Sequence, residues 1–500
     1  MNSSRSCGRV PQRIGAVVAA ILLAGTILPA FAEDINLGPI FTRDTTLLGE
    51  KRVRILGPLF EERVSADGRT VCSVRPLFTR SIEADGRDNC TYLLWPLATA
   101  KTTGNEVSTR FGLTFYTDFD KTNPMSSWRL WVLPVLLMGR GSNGGNYFGV
   151  FPIGGKASDL LLFDRADFFL FPLYLRTVRG HETTTDVVWP LISRSTGEGR
   201  SRMRVFPFYG QSVQEGVSRS MFLLWPILSW SRCVKPGQEG GGFVLFPLIG
   251  RIYSPNSKSW LLFPPFFRWT EGAKFKEANF PWPFAQTSSG RINKFYLWPL
   301  VGAKSEPGMR DGFVMWPFVR CQEREIKGEM RGHLSILPFL QYDVRKKIVD
   351  GKKADGTDTI SKSLKLWPLW SRRSEGRTSI LHVPALWPAR DIEPISNTYA
   401  PIWTLFSRVD TPDSSDSELL WGLIRRRKGP TSASSSIFPL VSWNRSDAAQ
   451  GETQEWSFLL GLIGYRKSGN HGNLRLLFMN VGGFRSADLE GVNAGLPAQN

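Results

Sequence analysis

A short apolar unit built on an aromatic-Pro-aliphatic core recurs along almost the whole chain. Its period is about 19 residues, and self-similarity on that scale signals an array of like units. The units include LGPLF around Pro58, VRPLF around Pro76, LLWPLA around Pro96 and WVLPVLL around Pro134. GVFPIG (Pro152), FLFPLYL (Pro172), VVWPLIS (Pro190), RVFPFYG (Pro207) and LLWPILSW (Pro226) follow. The series continues through VLFPLIG (Pro247), YLWPLVG (Pro299), VMWPFVR (Pro317) and KLWPLWS (Pro368) to SIFPLVSW (Pro439). LLWGLIR at Gly422 and LLGLIG at Gly461 carry glycine in place of the proline. That exchange points to a demand of the backbone, since both residues serve bends and bulges.

Apolar segments of this length, rich in β-branched and aromatic residues and bounded by turn residues, read as strands. The proline leaves no room for a regular helix. Connectors such as GRGSNGGN (139–146), STGEGRS (195–201) and SEPGMRDG (305–312) suit hairpins. The expected fold is therefore all-β: an antiparallel meander of about twenty short Pro-centred strands, barrel-like in outline. The alternative is a soluble β-repeat array, a propeller or a solenoid. Runs such as MFLLWPIL (221–228) read as strands apolar on both faces, which suits a wet-bored porin poorly. Arginine follows many units (Arg80, Arg176, Arg194, Arg251, Arg268, Arg320, Arg372, Arg425, Arg445). In a meander of single-unit strands these exits should alternate between two rims.

The first 32 residues read as a secretory signal. Arg5, Arg9 and Arg13 precede an apolar run from Gly15 to Leu28, and Ala30-Phe31-Ala32 fits a cleavage site. Export to the outer membrane or periplasm of a bacterium is the expected location. Residues 33–482 then form one β-repeat domain, and 483–500 carry no strand pattern and are expected to be a flexible tail. Within the domain, 343–363 is lysine-rich and reads as a protruding charged loop, and 409–418 as an exposed acidic one. Cys72, Cys90, Cys233 and Cys321 are too few and too scattered for a disulfide framework; Cys72 and Cys90 could pair.

The Trp-Pro-Leu and Phe-Pro-Leu units, with the opening GPIF, GPLF and RPLF and the closing LLGLIGYR and LRLLFMN, resemble a group of exported bacterial proteins with such β-repeats. The resemblance covers most of the chain after the signal. It implies a barrel-like envelope protein and carries no known activity.

No catalytic constellation stands out. His181-Glu182 lacks the second histidine of a zinc motif, His382 lies in an apolar unit, and nothing joins His333 or His471 to a nucleophile. The acid pairs Asp118/Asp120 and Asp164/Asp167 sit beside turns, where solvated carboxylates are commonplace. No cofactor and no metal site are expected, and a non-enzymatic protein is the favoured reading over an enzyme on a β-scaffold. The formal charge is +18, and basic clusters at Arg345, Lys346 and Lys347, at Arg372 and Arg373, and at Arg425, Arg426 and Arg427 suggest contact with headgroups or another polyanion. Outer-membrane lipid or lipopolysaccharide is the natural partner for an exported chain; nucleic acid is not expected, and no protein partner is indicated. The function expected is thus an outer-membrane pore or structural component. The alternative is a soluble scaffold binding a partner through Arg-rich rims.

Overall fold

The prolines of the repeat sit in turns, and this placement reorganises the whole reading of the chain. The computed structural model describes residues 34–123, 125–160, 162–349, 352–353, 359–448, 451–469, 471–477 and 479–485. They form one sheet of forty-seven short strands, each antiparallel to its neighbour. One irregular step is Lys352–Lys353, which pairs back on Leu340–Val349 while that strand also pairs with Thr359–Leu366, and the register shifts again at Leu474/Arg475. The expected all-β antiparallel meander is what the chain adopts. Residues 1–32, expected to be a signal, and most of the expected tail lie outside the described residues, although the last strand, Met479–Arg485, enters the stretch expected to be tail.

Each repeat yields two strands rather than one. Around Pro190 the strand Glu182–Val187 ends, four residues turn, and Ile192–Gly197 begins. The turn closes with the Leu191 N–H donating to the Val188 carbonyl at 2.8 Å, Val188 having a positive φ of 49°. The Trp189–Pro190 bond is cis. Proline has no N–H to give, and at this position none is required. Val188 and Trp189 donate instead to the Leu173 and Pro172 carbonyls of the preceding turn, each at 2.7 Å. Trp225 to Pro207 and Trp316 to Pro299 repeat that bond at 2.7 Å. The turns therefore stack in the same direction as the strands. Where glycine replaces proline, Gly422 and Gly461 hold φ of 100° and 88°, a region that other residues seldom adopt.

The expectation of about twenty Pro-centred, kinked strands is corrected accordingly. A run such as MFLLWPIL is the end of Ser218–Leu223, a turn, and the start of Leu228–Cys233. Because each repeat sends the chain out and back, every aromatic-Pro turn lands on the same rim, and the Arg-bearing exits do not alternate between rims. The other rim carries polar turns such as 65–69 (SADGR), 180–181 and 307–308. The two expected charged loops are mostly ladder. Leu340–Val349 pairs with Thr359–Leu366, and Phe406–Asp410 with Ser415–Leu419.

The first and last strands do not pair with each other, so the ladder is not closed. The ribbon meets itself face to face instead. Near its start, the strands from Ile35–Leu37 to Phe78–Ile82 pack against the strands from Phe406–Asp410 to Ser432–Ile437 and against the connector at 384–405. Asn36 Nδ2 donates to Ser436 Oγ at 3.1 Å, Arg75 Nε to the Asn397 carbonyl at 2.8 Å, and Thr398 Oγ1 to Thr79 Oγ1 at 3.1 Å. The intervening stretch of about thirty strands has a contour of roughly 150 Å at the usual strand spacing. Many of the most enclosed residues are small and polar, among them Thr42, Thr79, Thr398, Ser73 and Ser195. An apolar cluster of Leu137, Ala157 and Phe168 is local to neighbouring strands.

Candidate functional site: the apolar rim

Strand alternation sorts the repeat into two faces. Next to the turns, the outer face carries an apolar row that the register links strand by strand. Val187 pairs with Ile192, Ile192 with Val205, and Val205 with Tyr209. Leu223, Leu228, Leu245, Ile249, Leu262 and Phe267 continue it in the same manner. At the same level the inner face carries Asp186, Ser193, Arg204, Gly210, Phe222 and Ser229. The Phe222 ring lies over Gly210, where a Cβ would meet it at 2.0 Å. The inner side is thus mainly small or polar, and the outer side is apolar.

The residue after the proline crowns each turn and points into the surroundings. Ile153 is 61 % exposed, Phe208 61 %, Leu300 56 %, Phe339 57 % and Leu440 54 %. Soluble monomers seldom leave a continuous apolar patch on this scale uncovered. Two residues further from the rim, the outer face mixes aromatics with arginines. Met221, Trp230, Phe243, Arg251, Trp260 and Trp269 are consecutive partners in one row. The Arg251 guanidinium stands over the Trp260 ring at 4.8 Å. Arg176, Arg194 and Arg372 occupy the same level and are exposed. Beyond it come Arg219, Arg232, Tyr253 and Lys258. From rim to charged zone the apolar band is about 10 Å tall, counting about 3.4 Å per strand residue.

The basic residues singled out from the sequence do not form continuous patches. Arg345 and Lys347 are on the inner face and Lys346 on the outer; Arg373 is inside and Arg372 outside. Adjacent residues of a strand cannot share a face. Arg425 is the plainest correction: it is buried in the contact where the ribbon meets itself, and is not free to meet a headgroup. It pairs with Asp416 at 2.8 Å and with Asp44, while Arg427 reaches Asp34 at 2.6 Å and Asp416 at 3.1 Å. Arg426 alone of that trio faces outward and is exposed. Arg52 and Arg54 reach across the same contact to Glu418, Arg52 at 3.2 Å, while on their own side Arg52 also joins Asp44 at 3.0 Å and Arg75 holds Glu61 at 2.7 Å.

This ion clasp was invisible in the sequence, where 409–418 looked like a solvated acidic loop. Burial opposes ionisation of Asp44, but Arg52 and Arg425 outweigh it and hold the carboxyl well below the usual range. Burial likewise opposes Glu61, yet Arg75, Arg63, Arg52 and Arg54 bring it down to about 2. Burial of Asp416 is outweighed by Arg425 and Arg427 in the same direction.

Among the described residues no group of three or more His, Cys, Asp and Glu could hold a metal ion, and no helix is long and apolar enough to cross a membrane. Cys72 and Cys90 lie on opposite faces of the sheet, opposite Arg80 and Ser81 respectively, and form no disulfide. His382 is exposed on the strand Thr378–Val383 and joins no cluster of potential metal ligands among the described residues. No protein-family model matches the chain and no curated protein matches it, so every functional statement rests on its own residues.

Proposed function

We propose that the protein is a non-enzymatic component of the cell envelope, a barrel-like β-wall that seats its aromatic-Pro rim in one leaflet of a membrane. The observation that carries this reading is the vertical order on the outer face: exposed apolar turns, an unbroken apolar row, then tryptophan with arginine. That order matches the hydrocarbon, the interface and the headgroup layer of a lipid leaflet. Arginine stems can lie along apolar surface while the guanidinium reaches phosphate.

The height of the band favours insertion into a leaflet over a full crossing. A strand that crosses a bilayer needs about 9–11 residues, and spanning barrels show an apolar band of about 25 Å. Most strands that reach the rim have five or six residues, for example Ile192–Gly197 and Ser257–Leu262, and only Leu340–Val349 among the described ones has ten. An exported chain would meet such a leaflet on the periplasmic side of the outer membrane. The polar inner face makes the wall a scaffold or a partial pore lining.

Flotation of the purified full-length chain with vesicles containing phosphatidylglycerol tests the reading. The protein should float with the vesicles and need detergent to stay monodisperse without them. A protein that remains monodisperse in plain buffer and stays at the bottom of the gradient would refute it.

A further inference from the structure

On the inner face, far from the rim's outer row, arginines stand opposite one another in register. Arg324 on Val319–Ile326 pairs with Arg331 on Glu329–Ile336, and Arg331 pairs with Arg345 on Leu340–Val349. Like charges directly opposite destabilise a ladder, so three in succession call for a compensating group. Arg373 joins them from Trp370–Glu375, and Arg390 comes over them from the 384–405 connector. These five guanidiniums line one cavity of about 410 Å³.

Among the described residues, the carboxylates nearby do not balance them. Glu329 meets Arg331 at 3.3 Å, and Glu375 is shared between Arg373 at 3.4 Å and Arg345 at 3.9 Å. Asp343 is held by His333 at 2.9 Å and by Arg390. Among the described residues Arg324 donates only to the Met309 sulfur, at 3.8 Å. The side chains of Arg373 and Arg390 remain 61 % and 64 % exposed, so they are reachable from solvent despite these ion pairs. An adjoining cavity of about 570 Å³ shares Arg345, Arg373 and Arg390 and is walled by Ile380, Ala385, Trp387 and Trp403.

We infer that this arginine-lined cavity binds a phosphate group. Planar guanidiniums match phosphate oxygens in bidentate pairs, and several together suit a doubly charged or condensed phosphate. The apolar wall next door gives room for whatever the phosphate is attached to, which can be a lipid or nothing at all. The site is distinct from the rim, and it stands or falls apart from the membrane reading.

Calorimetric titration of the full-length chain with inorganic pyrophosphate, and separately with a short-chain phosphatidic acid below its micelle concentration, tests the site. Binding of pyrophosphate assigns a free phosphate as sufficient; binding of the lipid alone assigns the headgroup source. In either case Arg331→Ala/Arg345→Ala should weaken binding at least tenfold, while Arg87→Ala/Lys121→Ala, in exposed bends elsewhere on the sheet, should leave it unchanged. The bound probe should also raise the unfolding temperature of the native chain and not of the double variant, as mass action requires. Arg390→Ala, on the connector rather than the ladder, gives the same readout without touching the sheet. Failure of both probes to bind, or equal binding by the native chain and both variants, would overturn the inference.

Discussion

The two rims of the ribbon are made by the same strands, yet they have opposite chemistry. At one rim the turns are Val-Trp-Pro-Leu or Leu-Trp-Pro-Ile, stacked through backbone bonds and crowned by exposed aliphatic and aromatic groups. At the other the turns are Gly-His, Glu-Gly or Ser-Ala-Asp-Gly-Arg, flanked by Arg, Lys and Glu. Folding alone does not explain the difference, because polar turns join hairpins equally well. Burial inside the molecule does not explain it either, since the crowning residues stay exposed. The contrast is what the proposed seat of the apolar rim in a lipid leaflet would require.

The largest expected effect is obtained by making the two rims alike. Leu173, Leu191, Phe208 and Ile227 crown consecutive turns, and each buried side chain of this size contributes about 1.5–3 kcal/mol to leaving water. Changing all four to Asp should lower vesicle binding at least a hundredfold with little change in the far-ultraviolet spectrum, because the sites are exposed. Four aspartates placed at Lys274, Asn256, Arg377 and Lys327, in or beside the opposite turns, should leave binding within a few-fold. Equal losses from both sets would break the comparison.

A second contrast lies between the ion clasp and the charges of ordinary turns. Asp44 has no side-chain exposure and meets Arg52 and Arg425. Removing one partner of a buried pair strands the other charge, at about 3–5 kcal/mol. Asp44→Ala should show that loss in denaturant unfolding, whereas Asp67→Ala, in an exposed turn, should stay within about 0.5 kcal/mol. A loss at Asp44 no greater than at Asp67 would mean that the clasp does not hold the ribbon together.

The clasp also sets a smaller, pH-dependent effect. The folded pKa values of Asp44, Glu61 and Asp416 are all depressed, so these groups stabilise the fold while ionised. Their contribution is complete above the ordinary carboxylate values of 3.8 for Asp and 4.5 for Glu, and is lost as pH falls from there through about 2 for Glu61. Thermal unfolding followed from pH 6 to pH 2 should fall more steeply in the native chain than in an Asp44→Asn variant. Parallel curves would contradict this assignment.

Much of the architecture was legible because the repeat is regular. The apolar units and their Gly/Ser connectors announced an antiparallel meander, and the sheet is one. The error at Pro190 and its equivalents came from apolar continuity. A run of eight apolar residues can be one two-faced strand or two strand ends around a turn, and periodicity cannot separate these when turn residues are themselves apolar. Trp189 and Leu191 carry no turn signature, and only the stacked bonds to Pro172 and its equivalents reveal the turn. Tertiary pairing was hidden for another reason. Glu418 and Arg54 are joined across most of the chain, and no local pattern distinguishes a buried Arg425 from an exposed Arg426. Of the basic residues noted from sequence, Arg345 and Arg373 reach the inner cavity, although their partners Arg324, Arg331 and Arg390 gave no signal by themselves.

Depth-resolved quenching of tryptophan fluorescence is the most direct test of the rim. Trp189, Trp225 and Trp316 lie in the turns, while Trp230, Trp260 and Trp269 lie two residues below the apolar row. Two variants, each retaining only one of these groups, should be mixed with vesicles whose lipids carry bromine at different depths along the acyl chain. The turn tryptophans should be quenched most by deep bromines, and the lower row by bromines near the headgroup. Equal quenching of the two groups at every depth, or none in either, would contradict a rim seated in a lipid leaflet.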